Sequence, residues 1–304
     1  MYYYYIKLLG YPNIPEFLKK YLTVPSLVRL KGIGYFCGMD YASKNIYNFK
    51  EYISRFRHSF STALLVYKLT QDKTYTLQAL FHDISTPVFS HVIDYMNKDY
   101  DIQESTEEFT EFILRNDKLL LKYLEMDNID IDKLINYKDS SIVDNKRPKL
   151  CADRLDGIIH NGVYWTKLLK KKDIYEIIKD IDVFINEDNE LEIGFKSSYV
   201  LNKVVRVNNL TDLEMHSNYD TYMMELLASI TRYIIDNKYI AYEDLYFYNE
   251  KELFKKLNGI DDCILKSMLY EFRNVLKGDI PEIMIDNIKV RRLNPLLNGK
   301  RNGC

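Results

Sequence analysis

Histidine is scarce in this chain of 304 residues: five in all, at positions 58, 82, 91, 160 and 216. Any imidazole-based metal site must draw on that small set. Cysteine is scarcer still. Cys37, Cys151, Cys263 and Cys304 lie far apart and form no C-x-x-C pair. That excludes a paired-thiolate zinc site and fits reduced thiols better than a disulfide framework. No stretch approaches 18 apolar residues without a charge, so no membrane-spanning segment is expected. The opening MYYYYIKLLG lacks a basic region, a long apolar core and a small-residue cleavage site, which argues against a signal peptide. A cytoplasmic location is the expectation. A net charge of −2 gives no global attraction to nucleic acid or to anionic lipid.

What is present is the make-up of a globular chain: 47% hydrophobic and 28% charged residues, with length enough for a large core. The 27 tyrosines, among many Lys, Asn and Ile, fit the drift of an AT-rich coding sequence and carry no functional weight. Helical spacing dominates. From Phe56 to Leu69, Phe60, Ala63, Leu64 and Tyr67 recur at steps of three and four, giving one buried stripe. A second helix runs from Tyr75 to His82. Pro87, after Ser85 and Thr86, reads as the first turn of a third, with Thr86 as N-cap. That helix carries His91 and Asp94 on one face. Ser105 with Glu108 reads as a capping box opening a fourth, and Pro148 to His160 as a further helix.

In the middle, VFINEDNELEIGF (183–195) has the alternation of a β-hairpin with an Asp-Asn turn. Helical spacing returns over Tyr222–Ile235 and Asp261–Leu276. The expected architecture is mostly α: a core over residues 1–165, then a small β-hairpin insertion and a C-terminal helical lobe over 166–304, packed as one unit. The last eighteen residues contain Lys289, Arg291, Arg292, Lys300 and Arg301 and no acid. Such a run is read as a solvated terminus in preference to a phosphate or nucleic-acid contact, and the lysines at 167 and 170–172 as a solvated face.

Three of the histidines fall within the segments expected to pack together. His58 lies near the start of one helix, His82 and Asp83 end the next, and Asp153 begins a later one: H…HD…D. Successive helical residues point about 100° apart, so adjacent His and Asp reach one ion most easily where a helix ends. Ser-Thr-Pro after them supplies such an end. Mixed imidazole and carboxylate ligands suit Mn, Fe, Co, Ni or Zn better than Ca, with Mg left open. An ion held by His58, His82, Asp83 and Asp153 keeps positions for water and a phosphoryl oxygen, the arrangement of metal-assisted hydrolysis. Arg55, three residues before His58, shares its helix face and suits a phosphate oxygen.

RFRHS (55–59), HD followed by P-x-F-S-H (82–91) and ADRLDG (152–157) together resemble the HD-domain phosphohydrolase superfamily. The likeness is closest to its branch of deoxynucleoside triphosphate triphosphohydrolases, and Pro25–Gly38 is similar to the segment leading into the first motif. It covers roughly the first half of the chain. It implies a mostly helical fold, one divalent metal ion, and hydrolysis of a nucleotide or related phosphate ester by metal-activated water. Asp153 then takes the place of the last metal ligand. Two departures stand out. Ser85-Thr86 replaces a Gly-His whose histidine is the family's proton donor, and Gln103-Glu104 replaces a downstream His-Glu. Threonine cannot act as a general acid near pH 7, which leaves His91, oriented by Asp94, as the substitute. The chain has too few histidines for the two-metal phosphodiesterases. The leading expectation is a nucleotide phosphohydrolase, with homo-oligomerisation left open, a nucleotide or phosphorylated small molecule as partner and neither membrane nor nucleic acid. The alternative is a catalytically weakened protein that binds nucleotide as a regulatory module.

Overall fold

The computed structural model describes residues 1–301; Cys304 and the end of the basic tail lie outside the described residues. In chain order the helices before the sheet are α1 (Tyr2–Leu8), α2 (Glu16–Tyr21), α3 (Pro25–Arg29), α4 (Arg55–Thr70), α5 (Lys73–Phe81), α6 (Val92–Asn97), α7 (Thr110–Asn116), α8 (Lys118–Asp127), α9 (Ile131–Ile135), α10 (Ala152–His160) and α11 (Lys171–Asp180). Strands β1 (Ile181–Ile185) and β2 (Leu191–Phe195) follow, then α12 (Ser198–Met215), α13 (Asn218–Asp236), α14 (Glu250–Asn258) and α15 (Cys263–Asn274). Strands β3 (Leu296–Leu297) and β4 (Lys300–Arg301) close the described chain.

Local chemistry explains the two helices at the centre. The Ser54 hydroxyl accepts from Arg57 N–H and starts α4, and Gln71, in the left-handed region at φ 57°, ends it. Asp72 caps α5 by accepting from Tyr75 N–H at 2.8 Å, one of the donors that a helix start leaves without a helical partner. The stripe expected on α4 proves too narrow: His58 to Val66 are buried all round. The reason is tertiary, because α5 and α10 both pack on α4, so a stretch with three hydroxyl residues, Ser59, Ser61 and Thr62, lies inside. Ser61 and Thr62 meet that burial by donating to the carbonyls of Arg57 and His58.

Three helix starts differ from the sequence reading. Pro87 opens no helix and Thr86 caps none. Phe89 and Ser90 take φ of 66° and 50°, which breaks any helical path, so α6 begins only at Val92 with His91 as its N-cap. Ser105 forms no capping box with Glu108. Its N–H donates to Asp94 and its carbonyl accepts from Tyr246, leaving a short 3₁₀ turn before α7. Pro148 lies before the helix, not in it. Residues 145–149 form a loop that Arg154 holds through Asn145, at 2.6 Å to its side chain and 2.7 Å to its carbonyl, and through Lys149 O.

The hairpin forms as expected, antiparallel with Val183 opposite Ile193, but it is not alone. β3 adds parallel to β2 and β4 returns antiparallel, giving the order β1-β2-β3-β4. The basic tail is therefore built into the fold, against its reading as a solvated terminus. Arg301 pairs with the fully buried Glu192 at 2.5 Å and with Glu187 at 2.7 Å. Lys289 and Arg291 are half-buried, while Arg292 and Lys300 are exposed. Lys167 and Lys170–Lys172 are exposed, as a solvated face requires. One cluster of buried apolar side chains runs from Tyr5 through Leu80 and Leu227 to Leu293, so the N-terminal half and the C-terminal lobe share a core. Among the described residues Cys37, Cys151 and Cys263 are free thiols.

Glu250, at the start of α14, is fully buried beside Gly34, Asp40 and Tyr52. Burial pushes its carboxyl up to about 8, with Asp40 adding and Gly34, Tyr52 and Arg55 only partly opposing. A folded-state pKa above the unfolded one means stability that is full at low pH and lost as pH rises through 8. Relative to Glu250→Gln, the wild type is expected to lose up to about 1.4 kcal/mol per pH unit between roughly pH 5 and 8. Parallel urea titrations of the two proteins check this; curves that stay parallel across that range refute it.

Candidate metal centre

Four side chains from two helices and the end of a third meet at a single point. His58 is in the first turn of α4, His82 is the C-cap of α5, Asp83 follows it, and Asp153 lies in the first turn of α10. His58 Nε2 lies 3.3 Å from His82 Nε2 and 2.9 Å from Asp153 Oδ1. His82 Nε2 is 3.3 Å from the same Asp153 oxygen. The Asp83 carboxylate stands 3.8 Å from His58 Nε2 and 3.9 Å from His82 Nε2. The spatial reason for the adjacent His-Asp is now visible: α5 ends at His82, and the turn after it swings Asp83 onto the same centre.

The donors fit a divalent cation on their own geometry. His58 donates Nδ1–H to Asp156 at 2.7 Å, and His82 donates Nδ1–H to Ala79 O at 2.8 Å. Both tautomers are thereby fixed with Nε2 toward the shared point, the usual outer support of a metal-ligating imidazole. Without an ion, burial works against a charge on His58, yet Asp153 and Asp156 raise it to about 10, and Asp83 with Asp153 raise His82. Burial likewise opposes charge on Asp83, but Arg55 and the two imidazoles hold its carboxyl below the ordinary range. The centre is a site of concentrated negative charge that protons and cations contest. Two neighbouring donor groups are weaker candidates. His58, Asp156 and His160 come together, but Asp156 already accepts from both imidazoles and from Tyr5. Asp144, Cys151 and Asp153 also approach, but burial pushes the Cys151 thiol up to about 12.

His91 and Asp94 come together as their spacing implied. His91 Nδ1 meets Asp94 Oδ2 at 2.8 Å, and Asp94, fully buried, is fixed further by Ser105 N–H at 3.1 Å. Arg55 is engaged within the protein itself. Nη1 pairs with Asp83 at 3.0 Å and Nε donates to Ser90 at 3.1 Å. Its remaining Nη2 has no hydrogen-bond partner among the described residues. Arg55, His91 and all four centre residues line one cavity of about 570 Å³. Thr86 and Gln103 line it too, so both departures from the family pattern stand at the site.

Sequence reading passed over several residues here. Asp156, three after Asp153 in ADRLDG, had a signal in that spacing and holds His58. His160 is buried and donates Nδ1–H to the Asp156 carbonyl, while His216 lies at the end of α12 and bonds Asp212 O. Tyr5 OH donates to Asp156 at 2.7 Å, a contact 151 residues long that no local pattern reveals.

Residues 55–186 match the family model described as the HD domain. Under half of the chain is covered, and the match supports the HD-domain superfamily for that stretch. An uncharacterized protein of Bacillus subtilis (strain 168), YdhJ, is 29% identical over 150 residues. The alignment covers 48% of this chain and 43% of that protein. The matched stretch contains the whole His-Asp centre, so the HD domain and the geometry together support metal-dependent phosphohydrolase chemistry. No helix among the described residues is long and apolar enough to cross a membrane.

Proposed function

We propose that the protein is a metal-dependent phosphohydrolase acting on a nucleotide. The observation that carries this reading is the convergence of His58, His82, Asp83 and Asp153 on one wall of the 570 Å³ cavity. A divalent ion held there supplies Lewis-acid polarisation of a phosphoryl oxygen and a nucleophilic oxygen at neutral pH. The protein's own groups do the rest. Arg55 fixes Asp83 and offers Nη2 to a phosphate oxygen. His91, with Nδ1–H committed to Asp94, keeps Nε2 for proton transfer to the leaving oxygen. Farther along the cavity Phe36 and Phe49 stack at 4.3 Å, with Trp165 edge-on to Phe36; flat apolar walls of that kind suit a nucleobase.

A screen of divalent metals against nucleoside mono-, di- and triphosphates, with products identified, tests the reading. Release of triphosphate, pyrophosphate or orthophosphate locates the phosphorus attacked. His91→Ala is expected to lower kcat by about 10²–10⁴ with metal content unchanged. A rate within twofold of wild type removes His91 from the proton path. The second reading, a nucleotide-binding protein with weakened chemistry, is favoured by Thr86 and Gln103 at the cavity wall. Nucleotide-dependent thermal stabilisation without product under every metal supports that one instead.

A further inference from the structure

The cavity that holds the His-Asp centre is also lined by Arg147, Lys289 and Arg291. All three are half-buried. None has a carboxylate partner among the described residues. Elsewhere in the fold Lys20 is neutralised by Asp127, Lys149 by Asp188 and Glu190, and Lys203 by Asp173 and Glu176, although Arg29 too is held by carbonyl oxygens. The cavity cations are instead held by neutral acceptors. Arg147 Nη1 donates to Arg292 O at 3.0 Å and Lys289 Nζ to Ile102 O at 2.5 Å. Arg291 donates Nη2 to Gln103 Oε1 at 2.8 Å and Nη1 to Lys289 O at 3.0 Å. A glutamine positions a guanidinium without cancelling its charge; a glutamate would do both.

The segment that brings these groups here is fixed by its backbone. Lys289 N–H donates to Tyr100 O at 2.9 Å, Arg291 N–H to Asp212 at 3.0 Å, and Asn208 donates to Arg291 O at 2.7 Å. Holding like charges half-buried and close is unfavourable. Burial, then Arg154 and Arg291, lowers Arg147 to about 10, and burial with Arg291 and Arg147 lowers Lys289, Asp94 and Glu104 offsetting only part. Folding alone gives no reason to assemble such a cluster, but an anion between these side chains relieves it with charge-assisted hydrogen bonds.

We infer that Arg147 from the 145–149 loop and Lys289 and Arg291 from the C-terminal segment form a second anion subsite, in the same cavity as the His-Asp centre, that takes the distal phosphates of an oligophosphate ligand. The subsite rests on the phosphohydrolase reading only for the group at the His-Asp centre. It makes the ligand one with at least two anionic groups, one at the His-Asp centre and one among these cations, and a simple monoester a poor fit. Arg147 lies inside the stretch that matches the HD domain and residues 289 and 291 outside it, so this specificity needs both parts of the chain.

The test is calorimetric titration of the full chain, metal-free in chelator, with inorganic tripolyphosphate and with orthophosphate. Tripolyphosphate is expected to bind more tightly, with an affinity that falls as salt rises. Arg147→Gln combined with Arg291→Gln is expected to weaken it about 10–100-fold, the worth of one or two charge-assisted hydrogen bonds. Because Arg291→Gln also removes the segment's tie to Gln103, Gln103→Glu provides a second variant: it keeps the hydrogen bond, neutralises the guanidinium and is expected to weaken binding at unchanged melting temperature. Lys300→Gln, an exposed cation on the same tail, is expected to change nothing. Equal affinity for the two anions, full binding in both site variants, or an equal loss in Lys300→Gln overturns the subsite. Failure of the phosphohydrolase reading looks different: no metal uptake and no turnover, with tripolyphosphate binding intact.

Discussion

Asp83→Ala is expected to abolish metal binding and turnover and to destabilise the fold as well. The carboxylate serves two partners at once: it faces both imidazoles of the centre, and it pairs with Arg55 at 3.0 Å where the arginine side chain is only 8% exposed. Removing it deletes one of four donors and leaves a buried guanidinium without its counter-charge. Breaking a buried pair from one side typically costs about 3–5 kcal/mol, more than the pair itself contributes. Metal content by elemental analysis should fall to background, and urea unfolding of the metal-free protein should show the stability loss. Adding Arg55→Leu to Asp83→Ala should recover part of the stability and none of the metal. An Asp83→Ala protein that retains its metal and its rate refutes the assigned centre.

Asp156→Asn should have the next largest effect, although the residue touches no ligand. Its carboxylate accepts from His58 and Tyr5, lies 2.9 Å from His160 Nδ1, which bonds the Asp156 carbonyl, and is fully buried. An amide puts two donor hydrogens among three donors, so it either leaves partners unsatisfied or forces His58 to the tautomer with Nε2 protonated. That tautomer cannot ligate. Weakening of metal affinity by about 10–100-fold is expected, with a stability loss of roughly 3 kcal/mol from the uncompensated buried groups. Tyr5→Phe separates the two roles: it removes one hydrogen bond, about 1 kcal/mol, and should leave metal affinity unchanged. Equal metal affinity in wild type and Asp156→Asn, measured by competition with a chelating dye, removes Asp156 from support of the centre.

Much of the centre was legible because its signals are local. His82-Asp83 at a helix end, His58 after Arg55 and Asp153 in ADRLDG each declare themselves within a few residues. The 3.6-residue spacing of α4, α5, α13 and α15 and the alternation of β1 and β2 are equally short-range. Pro87, Ser105 and Pro148 misled because cap preferences are worth only about 1 kcal/mol. Tertiary partners such as Leu245 O for Val88 N–H, Asp94 for Ser105 N–H and Arg154 for the 145–149 loop outweigh them.

The sequence by itself determined a mostly helical chain and the donor atoms offered to a metal, since residue type and helical period decide those. Only the tertiary structure decided that Asp156 and Tyr5 orient His58, that Arg55 is bound to Asp83, and that a tail read as solvated closes the cavity with Lys289 and Arg291. Each depends on groups far apart in the chain meeting in a dry interior, where an unpaired charge or a missing acceptor costs several kcal/mol. Patterns of three or four residues do not encode which distant partner meets that cost.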